Sequence, residues 1–120
     1  MRQIMRASTL AVLVFLTACL PQLNTSALTV QVVDAKHATI TFSDTDSVTD
    51  LVLYLGRATG VLDTTQPLTC QPVENLGTQC TAPSITGPLV LTVLAIDPSN
   101  VTANAWWTTP SGDKAARATP

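Results

Sequence analysis

A single histidine and a group of aspartates are the residues of this chain that could bind a metal ion. His37 is the only histidine among the 120 residues, and Asp34 lies three positions before it. Asp44, Asp46 and Asp50 crowd one short segment, DTDSVTD. Carboxylate oxygens gathered in a loop are ligands that Ca²⁺ prefers, so the segment is a candidate calcium site. The alternative is that these carboxylates close Asx-turns between two strands.

Neither calcium nor copper finds its usual ligand pattern here. Val48 and Thr49 stand where an EF-hand loop would need an acidic residue and a glycine. Blue-copper sites use two histidines, a cysteine and often a methionine, and copper dismutases use several histidines. A copper site would therefore have to be shared between subunits, with His37 joined by Asp34 or Asp44. We expect no resident cofactor, with copper or calcium as the alternatives.

A hydrolytic enzyme is not indicated by the sequence. A Ser-His-Asp site needs a serine presented to the histidine beside an oxyanion hole. No segment such as GxSxG marks that serine. We therefore expect no catalytic residues.

The first 18 residues have the pattern of an export signal. Arg2 and Arg6 precede the continuous apolar run LAVLVFL at 10–16. The run is shorter than the roughly 20 apolar residues that a transmembrane helix needs, and small residues follow it. These features are typical of a secretory signal, so residues 1–18 are excluded from the expected fold.

The segment LTAC at 16–19 resembles the lipobox of bacterial lipoproteins. In that family the cysteine thiol is diacylglycerylated, the signal is cut before the cysteine, and the new N-terminus is usually acylated. The resemblance implies that Cys19 carries the lipid and that residues 19–26 form a short tether. Cleavage after Ala27, in NTSA, is the alternative and would discard Cys19.

Lipid on Cys19 would hold the protein on a membrane. Each buried CH₂ contributes about 0.8 kcal/mol, so two or three acyl chains anchor a protein durably. The lipoprotein family commonly uses aspartate after the cysteine to stay on the inner membrane, and Leu20 therefore implies the outer membrane of the cell envelope. The net charge of −2 becomes −4 when Arg2 and Arg6 leave with the signal. An acidic chain without a basic patch is not expected to bind nucleic acid.

The two other cysteines, Cys70 and Cys80, are predicted to form a disulfide, because an exported chain favours oxidised pairs. The intervening loop contains Pro72 and Gly77, which suit a turn. A loop of this size would contribute about 2–3 kcal/mol in the chain-entropy model. A redox or metal-binding pair is the alternative, although the spacing is not CxxC.

From residue 27 the apolar period becomes two, which is typical of strands. Strands are predicted at 28–32, 39–42, 51–55, 89–96 and 101–109, with a short edge piece at 61–62. Residues 63–86 are expected to form a loop held by the cysteine pair, and residues 110–120 a flexible tail. About six or seven short strands predict one all-β domain at 27–109, an antiparallel sandwich.

Two stretches, ATITFSDTDSVTDLVLYLGR and SITGPLVLTVLAIDPSNVTANAWW, resemble fibronectin type III-like and related immunoglobulin-like domains. In that family an acidic loop joins the B strand to a C strand with an aromatic residue, and an F strand reading V-x-A-x-D follows later. Val93, Ala95 and Asp97 match the F-strand pattern, and Phe42 stands in for the usual B-strand tryptophan. The resemblance implies an immunoglobulin-like sandwich, a fold that hosts many functions.

The candidate contact residues are Tyr54, Trp106 and Trp107. Adjacent strand residues point to opposite faces, so one tryptophan can fill the core while the other lies outside. If strands 51–55 and 89–96 are neighbours, Val52 and Tyr54 belong to an apolar outer face. Exposed apolar patches with an aromatic residue often mark protein contacts. The alternative is that other strands or loops cover both faces.

Together these patterns predict a lipid-anchored cell-envelope protein. Its expected role is that of a non-catalytic accessory subunit, which binds a larger protein of an outer-membrane or surface-layer assembly. One alternative is a copper-binding sandwich with superoxide-dismutase-like activity at a subunit boundary. Another is a glycan-binding or peptidoglycan-binding module, because exposed aromatic rings also stack on sugars.

Overall fold

The computed structural model describes residues 22–23, 27–74 and 77–120 and contains ten strands. The strands are β1 (Gln22–Leu23), β2 (Leu28–Val32), β3 (His37–Phe42), β4 (Val48–Gly56), β5 (Ala58–Thr64), β6 (Thr69–Val73), β7 (Gly77–Ile85), β8 (Leu89–Ala95), β9 (Thr102–Thr109) and β10 (Gly112–Ala118). One 3₁₀ turn, Pro98–Asn100, separates β8 from β9. The predicted antiparallel sandwich is confirmed, with more strands than expected. No helix in the described part of the chain is long and apolar enough to cross a membrane.

The predicted export signal, residues 1–18, and the predicted lipidation site, Cys19, lie outside the described residues. Of the predicted tether at 19–26, only Gln22–Leu23 is described. These two residues form β1, which pairs in parallel with the start of β10.

Two sheets pack face to face. Sheet I has the order β1-β10-β9-β4-β7-β6, and sheet II has the order β2-β3-β8-β5. The sheet II order is that of the A-B-E-D sheet of an immunoglobulin constant-type domain, while β4, β9 and β10 take the places of strands C, F and G. The hairpin of β6 and β7 extends sheet I beyond the C position. The architecture is therefore compatible with an immunoglobulin-like sandwich.

This strand order corrects the predicted F strand. Val93 and Ala95 lie on β8, which pairs with β3 and β5 and so takes the E position. β9 lies between β4 and β10 and pairs with both, and β9 is therefore the F equivalent. Asp97 follows β8 and accepts the backbone N–H of Ser99 at 3.2 Å, which starts the 3₁₀ turn. The V-x-A-x-D pattern fits any strand in which buried and exposed residues alternate and which is followed by a capped turn. The pattern therefore could not distinguish an E strand from an F strand.

Alternation along the strands builds the core between the sheets. In sheet II, every second residue of β8 is no more than 1% exposed. In sheet I, the leucines of β4 are buried as well. Phe42 of β3 packs edge-to-face on Trp107 of β9, with ring centroids 4.8 Å apart. This geometry is favourable for aromatic pairs, and it joins the two sheets through their largest core side chains.

Two segments that were predicted to be irregular form strands. The predicted loop at 63–86 contains β6 and β7, and the predicted tail at 110–120 contains β10. On β7 the buried residues include Thr78, Cys80 and Ala82, and on β10 only Ala116 is fully buried. Small and weakly apolar side chains give little hydrophobic periodicity, so the pairing of these strands with their neighbours was not visible in the apolar pattern.

The predicted disulfide is confirmed. Cys70 of β6 and Cys80 of β7 lie directly opposite each other and are bonded. Cys80 is buried in the core while Cys70 is exposed. The bond therefore fastens the outermost strand of sheet I to its neighbour.

All strands run between two ends of the sandwich, which we call the entry end and the far end. The entry end carries the connections at 43–47, 65–68, 86–88 and 110–111. The far end carries the turn at 33–36, the single residue Arg57 between β4 and β5, and the connection at 96–101. The chain enters β2 at the entry end, where the backbone oxygen of Ala27 accepts the N–H of Ser43 at 2.9 Å.

Candidate functional site

The strongest candidate site is the outward side of sheet I, where three large side chains lie on adjacent strands. The leucines of β4 are buried, and the alternation of the strand therefore turns Val52 and Tyr54 outward. On β9, Trp107 is buried and Trp106 is turned outward. Val52 lies directly opposite Trp106 in the register, so the apolar side chains meet across the two strands.

Polar side chains surround this group. Thr81 lies opposite Val52, and Gln79 and Asn104 lie opposite Tyr54 on the two neighbouring strands. We call this outward set the aromatic face: Val52, Tyr54, Gln79, Thr81, Asn104 and Trp106. Trp106 is 45% exposed, and the other five side chains are half-buried. A large indole amid half-buried apolar and amide groups is a surface that a protein or a sugar can cover.

The burial of Trp107 fixes the outward position of Trp106. The Nε1 of Trp107 donates a hydrogen bond of 2.8 Å to Oδ2 of Asp44. The Nζ of Lys114 donates to the same oxygen at 3.2 Å. An exchange of the two tryptophans would leave the carboxylate of Asp44 without its indole partner, and a buried polar group that loses its partner is costly.

The side chain of Asp44 is only 3% exposed, and its carboxylate nevertheless keeps its negative charge. Burial acts to raise the pKa of Asp44, but hydrogen bonds from the backbone of Asp46 and from the Trp107 and Lys114 side chains outweigh it. The pKa of Asp44 therefore lies below its ordinary value of 3.8. Hydrogen bonds to Asp46 and then to Asp44 raise the pKa of Lys114. The ion pair stays charged at neutral pH and ties the loop at 43–47 to β10.

A shallow hollow of about 180 Å³ lies next to Trp106. It is lined by Asp50, Trp106, Trp107, Thr108, Asp113 and Lys114. Asp50 adopts a left-handed backbone conformation with φ 51°, and Asp113 accepts a hydrogen bond of 3.0 Å from Thr108 Oγ1. The ammonium group of Lys114 is already paired with Asp44 and Asp46. The side of the aromatic face toward the entry end is therefore bordered by the carboxylates of Asp50 and Asp113.

Tyr54 lies against the backbone of the neighbouring strand. A Cβ atom at Gly77 would be 2.7 Å from the Tyr54 hydroxyl oxygen and 2.9 Å from two carbons of its ring. Only glycine leaves room for so close an approach. The tyrosine ring therefore covers Gly77 on the outward side of sheet I.

The predicted contact residues divide between surface and core. Tyr54 and Trp106 belong to the aromatic face, whereas Trp107 is 2% exposed and cannot contact a partner. The predicted apolar face shared by β4 and β8 does not form, because these strands belong to different sheets. The outward Val90 and Leu94 of β8 lie in sheet II, where Thr41 is opposite Val90 and His37 is opposite Leu94.

The predicted metal ligands His37 and Asp34 lie together in the turn at the far end. His37 Nδ1 is 2.7 Å from Asp34 Oδ1. The backbone N–H of Lys36 also donates to Asp34 at 2.9 Å. These two contacts, the backbone bond first, lower the pKa of Asp34. The pair closes a surface turn, at the opposite end of β3 from the other predicted ligands.

Asp44, Asp46 and Asp50 do not gather around one point. The first two share the ammonium group of Lys114, and Asp50 lies beside Trp106. Asp44 Oδ1 accepts the backbone N–H of Asp46 at 3.1 Å, which is the Asx-turn that the sequence offered as the alternative. Within residues 27–74 and 77–120, no three His, Cys, Asp or Glu side chains are placed to hold a metal ion. A copper site shared between subunits stays a prediction.

Two further depressions lie at the two ends of the sandwich. A cleft of about 450 Å³ at the entry end is lined by residues 44–49 and 84–87. Its carboxylates, Asp44 and Asp46, are already bonded to Lys114. A smaller hollow of about 130 Å³ at the far end is lined by Arg57, Thr59, Ile96, Asp97 and Asn100. Neither lining contains a histidine, so neither depression holds a Ser-His-Asp arrangement.

Asp113 and Lys114 were missed from the sequence because residues 110–120 were predicted to be a tail. A signal was present in the segment PSGD at 110–113, since Ser-Gly and Pro are turn residues and the segment follows a strand. Gly112 has a φ of 123°, in the region that favours glycine. A hairpin reading of this turn would have brought both residues beside the tryptophans.

Comparison with known proteins does not assign this chain to a family. No protein-family model matches the sequence. No curated protein matches it significantly. The functional argument therefore depends on the site itself.

Proposed function

We propose that this chain is a lipid-anchored protein of the bacterial cell envelope that serves as a non-catalytic accessory subunit. Its aromatic face docks on a larger protein of an outer-membrane or surface-layer assembly. The observation that carries the proposal is Trp106, a tryptophan with 45% of its surface exposed on the middle strands of a sheet. Tryptophan is enriched among the residues that dominate binding energy at protein interfaces.

The surroundings of Trp106 support a docking role. Val52 and Tyr54 add apolar area on the adjacent strand, and the amides of Gln79 and Asn104 lie at the rim. Asn104 Oδ1 accepts from Arg117 Nε at 3.1 Å, and the amide N–H groups can pair with a partner. This arrangement of apolar centre and polar rim is that of protein interfaces.

The lipid anchor supports the same role. Acyl chains on Cys19 would confine the domain to a membrane, and confinement raises its effective concentration near other membrane proteins. A modest contact on one face of the sandwich would then be enough for a stable complex.

Native purification from gently solubilised envelopes tests the proposal. The wild-type protein is expected to come with a larger protein in fixed stoichiometry, and its own mass is expected to include acyl chains on Cys19. Trp106→Ala is expected to lose most of that partner, with a decrease in binding of tenfold or more, because a hot-spot tryptophan contributes about 2 kcal/mol or more.

The matched control is Leu62→Ala. Leu62 lies on β5 of sheet II and is 58% exposed, so the variant removes a similar apolar side chain from another surface. The thermal midpoint of both variants should stay near that of the wild type. Full retention of the partner by Trp106→Ala, or equal loss in both variants, would contradict the proposal.

A glycan-binding role is the second candidate, and one observation favours it. Trp106 and Tyr54 are accompanied by the amides of Gln79 and Asn104, and aromatic rings with amides are also groups that bind sugars. Sedimentation of the purified protein with peptidoglycan separates the roles. Binding that Trp106→Ala abolishes, in the absence of any protein partner, would replace the subunit proposal.

A further inference from the structure

The place where the chain enters the sandwich determines which end can approach a membrane. Ala27 is bonded to Ser43 at the entry end, immediately before β2 begins. Upstream of it, Gln22 of β1 pairs with Lys114 near the start of β10, which is also at the entry end. Two separate contacts of the N-terminal segment therefore bring it to the same end.

The chain between the lipid site and these contacts is short. Gln22 is three residues after Cys19, and Ala27 is eight residues after it. An extended chain spans at most about 3.6 Å per residue, so a lipid attachment point three residues before Gln22 and eight before Ala27 has a reach of at most about 11 Å and about 29 Å from them. The nine residues of β4 span about 30 Å from end to end. A lipid on Cys19 is therefore held close to the entry end.

We infer, on the basis of the proposed lipid anchor, that the entry end lies at the membrane surface and the aromatic face stands upright beside it. Because the strands run from end to end, the outward side of sheet I is then roughly perpendicular to the bilayer. The partner that fits this face is a membrane-embedded protein in the same membrane, which contacts the domain from the side.

The charges of the entry end support an upright domain. Asp44, Asp46, Asp50 and Asp113 are acidic groups on or near this end, and Lys114 is the cation among them in the described residues. Anionic headgroups attract free lysine and arginine side chains, but Lys114 is held by two carboxylates. On the outward side of sheet I, Arg117 of β10 lies opposite Asn104 toward the far end, and its Nε donates to Asn104 Oδ1 at 3.1 Å. Electrostatic attraction therefore does not hold the entry end on an anionic bilayer, and the acyl chains hold it there.

Fluorescence quenching in vesicles tests the orientation. Thr45→Cys puts a thiol in the exposed loop at the entry end, and Ala35→Cys puts one in the exposed turn at the far end. Neither side chain makes a hydrogen bond to another residue in the described part of the chain. Each lipidated variant carries a thiol-reactive fluorophore and is placed in vesicles of phosphatidylethanolamine and phosphatidylglycerol with headgroup-spin-labelled lipid. The labels are separated by β3, which spans about 20 Å.

The label at position 45 is expected to be quenched several-fold more than the label at position 35. Equal quenching would mean that the domain lies flat, and stronger quenching at 35 would mean that it is inverted; either result overturns the inference. Failure of the anchor is a separate outcome, since the mass of the protein then shows no acyl chain and neither label is quenched. Cys19→Ser with each label gives the unquenched reference.

Discussion

Asp44 joins the surface to the core, because one of its oxygens accepts hydrogen bonds from both Trp107 and Lys114. An indole N–H that is buried without an acceptor costs about 1–3 kcal/mol. The acceptor at Asp44 therefore favours Trp107 as the buried member of the adjacent pair, and Trp106 is left outside. The contact residue of the aromatic face thus depends on a carboxylate that lies behind it.

At the residue scale, Asp44→Asn is expected to lower the free energy of unfolding by about 1–3 kcal/mol at pH 7. The single amide oxygen can still accept from Trp107, but the amide nitrogen then faces the backbone N–H of Asp46. The ion pair with Lys114 is lost as well, and hydrogen bonds to charged groups contribute about this much. Asp46→Asn is the control, because Asp46 pairs with the same lysine but is 42% exposed, and exposed ion pairs contribute about 1 kcal/mol or less. Urea denaturation measures both variants. Equal effects would show that Asp44 has no special structural role.

The pH dependence of this contribution has a definite sign. The pKa of Asp44 is lower in the folded protein than its ordinary value of 3.8, so the folded state gains stability above that value. The gain is lost as the pH falls from 3.8 through the lower folded pKa. Wild type should therefore lose more stability than Asp44→Asn below pH 3.8. Asp34, whose pKa is also lowered, leaves a remaining slope in the variant, and identical slopes would contradict the assignment.

At the element scale, β10 is the segment that was predicted to be a tail and forms a strand in the structure. Ala116 is 3% exposed and faces the core, whereas its neighbour Ala115 lies opposite Trp106 on the outward side. We expect Ala116→Asp to lower the free energy of unfolding by about 3 kcal/mol or more, because it buries an unpaired charge. Ala115→Asp should cost less than about 1 kcal/mol. Small effects of both substitutions in urea denaturation would mean that residues 110–120 are a tail.

The apolar pattern predicted those strands that bury large aliphatic side chains. β2, β3, β4, β8 and β9 were predicted in this way, and so was the sandwich. The strands β6, β7 and β10 were not, because Thr78, Cys80 and Ala116 are too small or too polar to mark a buried face. Backbone pairing with their neighbours positions these strands, and that pairing is not visible in side-chain periodicity.

The candidate site was predictable to a similar extent. Alternation indicated that one of the two adjacent tryptophans is outside, but it could not choose between them. The choice depends on Asp44 and Lys114, which are 70 residues apart in sequence and meet only because the loop at 43–47 lies beside β10. Contacts between residues so far apart in sequence can be identified only in the folded structure. The same is true of the carboxylates of Asp50 and Asp113 that border the aromatic face.

At the scale of the whole molecule, the two ends of the sandwich differ in charge and in their distance from the N-terminal segment. The chain enters at one end, where aspartates outnumber cations in the described residues, while Lys36 and Arg57 lie at the far end. An anchor at the entry end relates the membrane, the aromatic face and the partner to one another. An anchor at the far end would keep the domain on the membrane but would turn the aromatic face upside down relative to the membrane.

Inverting the domain should therefore remove the partner without unfolding the protein. β10 ends at Ala118, at the far end, so a membrane-spanning helix fused directly after Pro120, in a chain with Cys19→Ser, anchors the domain upside down. We expect this fusion to lose the partner in native purification while its thermal midpoint stays unchanged. The same fusion with a long Gly/Ser linker is the control, because a flexible chain lets the domain turn over and should restore much of the binding. If the short fusion keeps its partner, the face does not need a fixed orientation, and the side-on contact with a membrane-embedded protein is wrong.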